Sequence, residues 1–305
     1  MTALRWAIAT VSFVGTGPPA MLTLQRRFIE ATAPGPDMPV YCAIPRLTQA
    51  EKVRLAHWPR AVLMAEGAET RNPNREHGLL LDRLVARAFA EGADRVLTLD
   101  TDSFPIVPDW AERLSGAAPF TAILRRENGD TVLPHPSGCV ITRRFFEDAG
   151  PTFWPDEATT RSDAYANWLS QVGQRPDTGI GYAHAAHRAG LRWQPLYRSN
   201  RRNVHPLVGG LYGDVLFHLG AMSRRPLFHA DGRHWPLSVT RHLARVPVLW
   251  RLHHLALSLR ARYNRRVAHT LLADLLSDPA GTLIRLGAPS HVPAILPVSD
   301  DQPPT

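Results

Sequence analysis

Lysine is almost missing from this chain: Lys52 is the single one among 35 basic residues, and the rest are arginine. The bias runs through the whole sequence beside abundant alanine and proline, which fits a GC-rich genome better than selection for one ligand. Cysteine is nearly absent too. Cys42 and Cys139 each sit in an apolar, strand-like segment, which excludes a disulfide framework and reads as two buried thiols. No apolar run approaches the roughly 20 residues of a membrane span. The stretch from Trp6 to Val14 is short and lacks a cleavage site, so a cytoplasmic location is expected. No segment repeats another.

What is present is a chain of 305 residues, 44% hydrophobic and 20% charged, the balance of a soluble globular protein large enough for one big domain and an appendage. Its net charge of +8 suits an anionic partner such as a nucleotide diphosphate, a membrane surface or nucleic acid.

Apolar periodicity alternates between strand and helix through the first third. Trp6 to Val14, Val40 to Ile44, Ala61 to Met64 and Val96 to Leu99 read as strands. Between them, Met21, Leu24 and Phe28 mark one helix. Thr48 and Glu51 form the capping box of a second, and Asn72-Pro73 opens a third with a Leu81, Leu84, Val85, Ala88 stripe. Such alternation predicts a parallel sheet in a βαβ series. Farther on, Gly138 to Thr142 reads as a strand with a short helix ending near Gly150. Asp163 to Val172 reads as a helix, Asp177 begins another that Gly190 ends, and Trp193 to Leu196 reads as a strand. Arg241 to Leu276 reads as helical.

Asp100-Thr101-Asp102 is the most informative stretch. Its two carboxylates follow a buried apolar strand, and the chain then leaves through Ser103-Phe104-Pro105 and Pro108. Ligands of open α/β sheets collect at such strand ends, and a carboxylate pair there can hold a hard cation against a diphosphate.

Gly92 to Trp110 as a whole resembles the core of a GT-A glycosyltransferase of the family 2 type: a helix ending in a small residue, a strand, Asp-x-Asp, then proline and an aromatic anchor. The likeness continues in order through Ser137 to Gly150, through Pro176-Asp177-Thr178-Gly179 with its helix to Ala189-Gly190-Leu191, and through Val215-Leu216-Phe217-His218. It covers about residues 5 to 225. Two features depart from the family pattern. Pro176-Asp177 stands where a Glu-Asp pair is usual, and Ala9-Thr10-Val11-Ser12 replaces the usual ending of the first strand.

The resemblance implies an α/β, Rossmann-like nucleotide-diphospho-sugar transferase fold with a mostly parallel central sheet: a catalytic domain over 1–235, a helical C-terminal extension over 236–288 and a flexible tail over 289–305. It implies a metal-dependent transfer of a sugar from a nucleotide-diphosphate donor to an acceptor hydroxyl, with Mn²⁺ or Mg²⁺ as cofactor. Asp102 is expected as direct metal ligand, and Asp100 at the donor ribose or a metal-bound water. His218 either completes the metal shell or is a core histidine. Asp177 is either the general base of an inverting reaction or a helix cap. Thr10, Ser12, Glu66, Arg71, Asn74, His77, Asp82, Asp100 and Thr101 are the candidates for donor nucleotide contacts.

Other features leave two readings open. His184 and His187, three apart on one helix, are either paired metal ligands or, since no Glu or Cys partner stands at zinc-site spacing, a surface or acceptor-facing pair. Arg198, Arg201 and Arg202 face either a phosphate or solvent. Over 241–276, Leu249, Leu252, Ala256 and Leu259 share one helical face, which either packs on the catalytic domain or a second subunit or lies on an anionic membrane. A nucleotidyltransferase acting on a sugar phosphate is the alternative enzyme, but Gly15-Thr16-Gly17 is followed by two prolines and no lysine. A basic nucleic-acid-binding protein ranks third, because the arginines are spread out rather than clustered.

Overall fold

The computed structural model describes residues 4–12, 19–45, 47–67, 70, 72–200, 205, 207–220, 227–233, 237–243, 246 and 249–298. The first third alternates β1 (Trp6–Val11), α1 (Pro19–Thr32), β2 (Val40–Ala43), α2 (Gln49–Ala56), β3 (Ala61–Met64), α3 (Pro73–Ala90) and β4 (Arg95–Asp100). There follow β5 (Ser103–Pro105), α4 (Trp110–Arg113), β6 (Phe120–Ile123), β7 (His135–Thr142), α5 (Arg143–Ala149), α6 (Glu157–Thr160), α7 (Asp163–Val172) and α8 (Ile180–Arg188). β8 (Gln194–Leu196), β9 (Gly210–Tyr212), β10 (Leu216–His218), α9 (Leu237–Leu243), α10 (Trp250–Ser277) and α11 (Pro279–Arg285) complete the chain.

Local chemistry starts these helices where the sequence predicts. Thr48 and Glu51 close a reciprocal capping box on α2. The Asn72 side chain accepts from Asn74 N and Arg75 N at the head of α3, with Pro73 in the first turn, where a missing N–H costs nothing.

Seven strands form a mixed, mostly parallel sheet in the order β3-β2-β1-β4-β7-β6-β8. β1, β2, β3 and β4 run parallel, and β7 runs antiparallel to both β4 and β6. Successive strand side chains point to opposite faces, and two cores follow. Ile8, Val40 and Leu97 pack with Phe28, Trp110 and Leu272 on one face; Ala7, Ala9, Tyr41 and Val96 pack with Leu81, Leu84, Phe145 and Tyr182 on the other. A second sheet, β5-β10-β9, stands beside the end of β4.

Several expectations change here. β1 ends at Val11, and β5, β6 and β9 were not read from the sequence. The stretch 241–276, read as helical, holds the end of α9 and nearly all of α10. Of the helical extension expected over 236–288, Ala268, Leu271, Leu272 and Leu275 of α10 belong to the same core cluster as residues of α1 and β1. The expected flexible tail is packed as far as residue 298. Val292 and Val298 are buried, Arg27 Nη1 donates to the Leu296 and Pro297 carbonyls at 2.8 Å, and Val298 N donates to Leu276 O. Residues 299–305 lie outside the described residues. On α10, Ala256 faces the core while Leu252 and Leu259 face outward, so the four-residue face read from the sequence is divided.

Candidate metal and donor site

The Asp100–Ser103 turn is pinned from two sides. From α1, the buried Gln25 Nε2 donates to Asp100 O at 2.7 Å and to Ser103 O at 2.8 Å. Towards β1, the Thr101 hydroxyl donates to Val11 O at 3.2 Å. β10 pairs antiparallel with β5 in a register that sets His218 opposite Ser103. His218 therefore returns beside the carboxylates: its Nε2 lies 3.5 Å from Asp102 Oδ1. Asp102 Oδ2 in turn accepts from Gly220 N at 3.0 Å.

A residue unmarked by the sequence reading joins them. β7 runs antiparallel to β4, so its first residue, His135, lies past the C-terminal end of β4. Its ring sits 5.1 Å from that of His218, and its Nδ1 lies 2.6 Å from Ser137 Oγ. Asp100, His135 and His218 each offer a ligand atom, all within 4.8 Å of one another. Asp102 lies outside this group of three: Asp100 faces both histidines, while Asp102 Oδ1 lies beside His218 alone and its Oδ2 accepts from Gly220 N.

The electrostatics suit a cation. Asp100 Oδ1 is buried, and its near neighbour is His77 Nε2 at 3.2 Å. Burial opposes the Asp100 anion, but the imidazoles around it, His77 foremost, hold its carboxyl well below the usual range. Burial, with Arg125 and His218 nearby, pushes His135 well below the usual imidazole value and so favours the neutral ring, whose Nδ1 accepts from Ser137 N at 3.3 Å. A buried carboxylate with two imidazoles is a donor set for a divalent transition metal.

The first turn of α3 connects this cluster to Asp177. His77 reaches Asp100, and one turn earlier Asn74 Nδ2 donates to Asp177 Oδ1 at 2.8 Å. Thr178 N donates to the same oxygen, and the Thr178 hydroxyl donates to Asn74 O. Asp177 is not the helix cap: α8 starts at Ile180 with Gly179 as its N-cap, two residues on, because only glycine tolerates the φ of 105° there.

The remaining candidates divide. Ser12 is buried at the end of β1 beside the turn. Thr10 is only 2% exposed, and its hydroxyl is buried without a hydrogen-bond partner. Asp82 is corrected outright: its Oδ1 accepts from Phe153 N at 2.8 Å, so it anchors the loop after α5. Glu66 is exposed after β3. Arg71, Arg201 and Arg202 lie outside the described residues. The Arg198 guanidinium is spent on loop carbonyls, including Val208 O at 3.1 Å. His184 is a core residue against Tyr165 and Trp168, and His187 is exposed.

No family model and no curated protein matches the chain. Among solved structures it is similar to the galactosyltransferase LgtC in complex with donor and acceptor sugar analogs, at 12% identity and a TM-score of 0.39 over 65% of this chain and 75% of that one. It is similar to the mannosyltransferase PcManGT from Pyrobaculum calidifontis in complex with GDP-Man and Mn²⁺, at 13% identity and 0.41 over 93% and 79%. It is also similar to S. aureus TarS 1-349 in complex with UDP-GlcNAc, at 10% identity and 0.38 over 67% and 60%. These overlaps are partial, and the chemistry of the site rests on this chain's own residues. No described helix is long and apolar enough to cross a membrane.

Proposed function

We propose that this chain is a metal-dependent glycosyltransferase that moves a sugar, hexosyl or related, from a nucleotide diphosphate to an acceptor hydroxyl with inversion. The observation that carries the reading is the Asp100–His135–His218 cluster at the C-terminal edge of the parallel strands, joined through one turn of α3 to Asp177. The family 2 assignment rests on the sequence resemblance alone.

Asp100, His135 and His218 would hold the cation. Two imidazoles and one carboxylate suit Mn²⁺ better than Mg²⁺, which favours oxygen ligands throughout. When bound, the ion supplies Lewis-acid stabilisation of the departing diphosphate. Asp102 keeps His218 in place. Thr101, Ser12 and the Gln25-pinned backbone shape the edge against which the donor lies. Asp177, with Oδ1 committed to Asn74 and Thr178, presents Oδ2 as general base. It accepts the acceptor hydroxyl proton as the acceptor oxygen bonds to the anomeric carbon and the bond to the diphosphate breaks.

The test is calorimetry of UDP, GDP and dTDP with and without Mn²⁺, followed by a donor hydrolysis screen. One nucleoside diphosphate is expected to bind in a Mn²⁺-dependent way, and its sugar conjugate to be hydrolysed slowly. Failure of all three to bind with Mn²⁺ present would reject the reading.

A further inference from the structure

The long helix α10 carries an apolar stripe that remains exposed among the described residues. Leu252, Leu255, Leu259 and Tyr263 are between 49% and 57% exposed. Their spacing sets them on one side of the helix, opposite the face that buries Ala261, Asn264, Ala268 and Leu272. Core packing therefore does not account for them, and a contiguous exposed apolar stripe marks an interaction surface.

The charges beside the stripe are of one sign. Arg251, Arg262 and Arg266 are exposed along one flank, and no Asp or Glu occurs between Trp250 and Ala273. The cleft of 540 Å³ between α10 and α11 continues this face, sharing Tyr263 and Arg266; beyond the arginine flank it is also lined by Asp274 and by Arg285, which pairs with Asp278 at 2.9 Å. The opposite edge of the helix is already engaged: Arg260 Nε meets Asp231 at 2.6 Å, and Asn264 Nδ2 donates to the same carboxylate at 2.9 Å. The helix is thus rigidly mounted, with the stripe outward.

We propose that α10 is an interfacial docking helix that lays this chain on an anionic lipid bilayer, with the leucines in the acyl boundary and the arginines among the headgroups. Charge complementarity selects this occupant. A second copy of the same face offers Arg251, Arg262 and Arg266 one carboxylate, Asp274, and otherwise repeats their charge, whereas an anionic leaflet supplies a counter-charge for each cation and an apolar layer for the stripe. The proposal is independent of the sugar-transfer reading, since neither the stripe nor its flank touches the metal cluster.

The test is cosedimentation of the full chain with vesicles of phosphatidylcholine alone and of equimolar phosphatidylcholine and phosphatidylglycerol. The chain is expected to bind the anionic vesicles, to leave the neutral ones in solution, and to release as salt is raised. Arg262→Gln/Arg266→Gln should weaken binding about thirtyfold, from the contribution of each arginine near an anionic surface. Leu255→Gln/Leu259→Gln should weaken it at least about tenfold through lost apolar burial. Both variants should melt like the parent, because the altered side chains are exposed. No binding to either vesicle, equal binding to both, or unchanged binding by both variants would overturn the proposal. So would light scattering that finds a lipid-free dimer which Leu255→Gln/Leu259→Gln converts to a monomer, since the face would then belong to a second copy.

Discussion

Asn74 donates its side-chain amide to Asp177 Oδ1 across 2.8 Å, joining α3 to the loop ahead of α8. The contact fixes one carboxylate oxygen and aims the other. General-base catalysis contributes about 10²–10⁴-fold, so Asp177→Asn is expected to lower kcat by that factor with nucleotide affinity nearly unchanged. Asn74→Ala keeps the base but frees its orientation, and a smaller loss of kcat, roughly tenfold, is expected. Turnover beside nucleotide titrations checks both, and wild-type kcat in Asp177→Asn would remove the base role.

His135 supplies the second prediction. Replacing it by Ala leaves Asp100 and His218 with two protein ligands instead of three. Loss of a mere outer-shell partner costs 10–100-fold in metal affinity, so loss of a ligand is expected to cost roughly 100-fold or more. Mn²⁺-supported nucleotide binding should fall accordingly, and excess EDTA should abolish it in the parent. Unchanged Mn²⁺ dependence in His135→Ala would take His135 out of the site.

The Asp100-Thr101-Asp102 turn was legible because its signals are local: a buried strand, two carboxylates and a proline exit. The caps at Thr48 and Asn72 were legible for the same reason. His135 was not, since it meets Asp100 only because β7 folds back antiparallel to β4, a pairing that no local pattern encodes. Gln25 was hidden likewise, as one of several polar residues of α1, because its partners are carbonyls 75 and 78 positions away. Asp82 misled in the opposite direction. It lies near the expected nucleotide segment, yet its helix face turns inward to Phe153. Asp177 resembled a helix start because its spacing is right, and the positive φ of Gly179 moves the start on.

Asp82 also gives the fold a pH dependence. Its Oδ2 is buried without a partner, and burial, only partly offset by the Phe153 and Trp154 backbone N–H groups, raises its pKa from 3.8 to about 8. The native chain therefore holds a proton that the unfolded chain releases above its own lower pKa. Stability from this group is complete below about pH 4 and is lost as pH rises to about 8. Asp82→Asn keeps an acceptor for Phe153 N and has no proton to lose. The parent's melting temperature is expected to fall more than the variant's between about pH 5 and pH 9. Parallel curves would place the carboxyl in a solvated setting.

Gly179 couples the two halves of the site. It caps α8 at a φ of 105°, donates its N–H to Phe153 O at 2.8 Å, and approaches the Pro134 carbonyl so closely that a Cβ would collide with it. Pro134 leads directly into His135, and Asp177 lies two residues before Gly179. Gly179→Ala therefore combines a strained backbone, about 1–3 kcal/mol, with a steric push on the strand that carries His135. Gly173→Ala is the matched control. Gly173 ends α7 at a φ of 64° with no atom near its would-be Cβ, so it carries backbone strain alone. Both variants should melt below the parent, Gly179→Ala by the larger margin. Only Gly179→Ala should also lose Mn²⁺-supported nucleotide binding, because only it displaces a metal-facing histidine. If the two variants bound nucleotide equally well, the Pro134 contact would be a packing detail with no hold on the cluster.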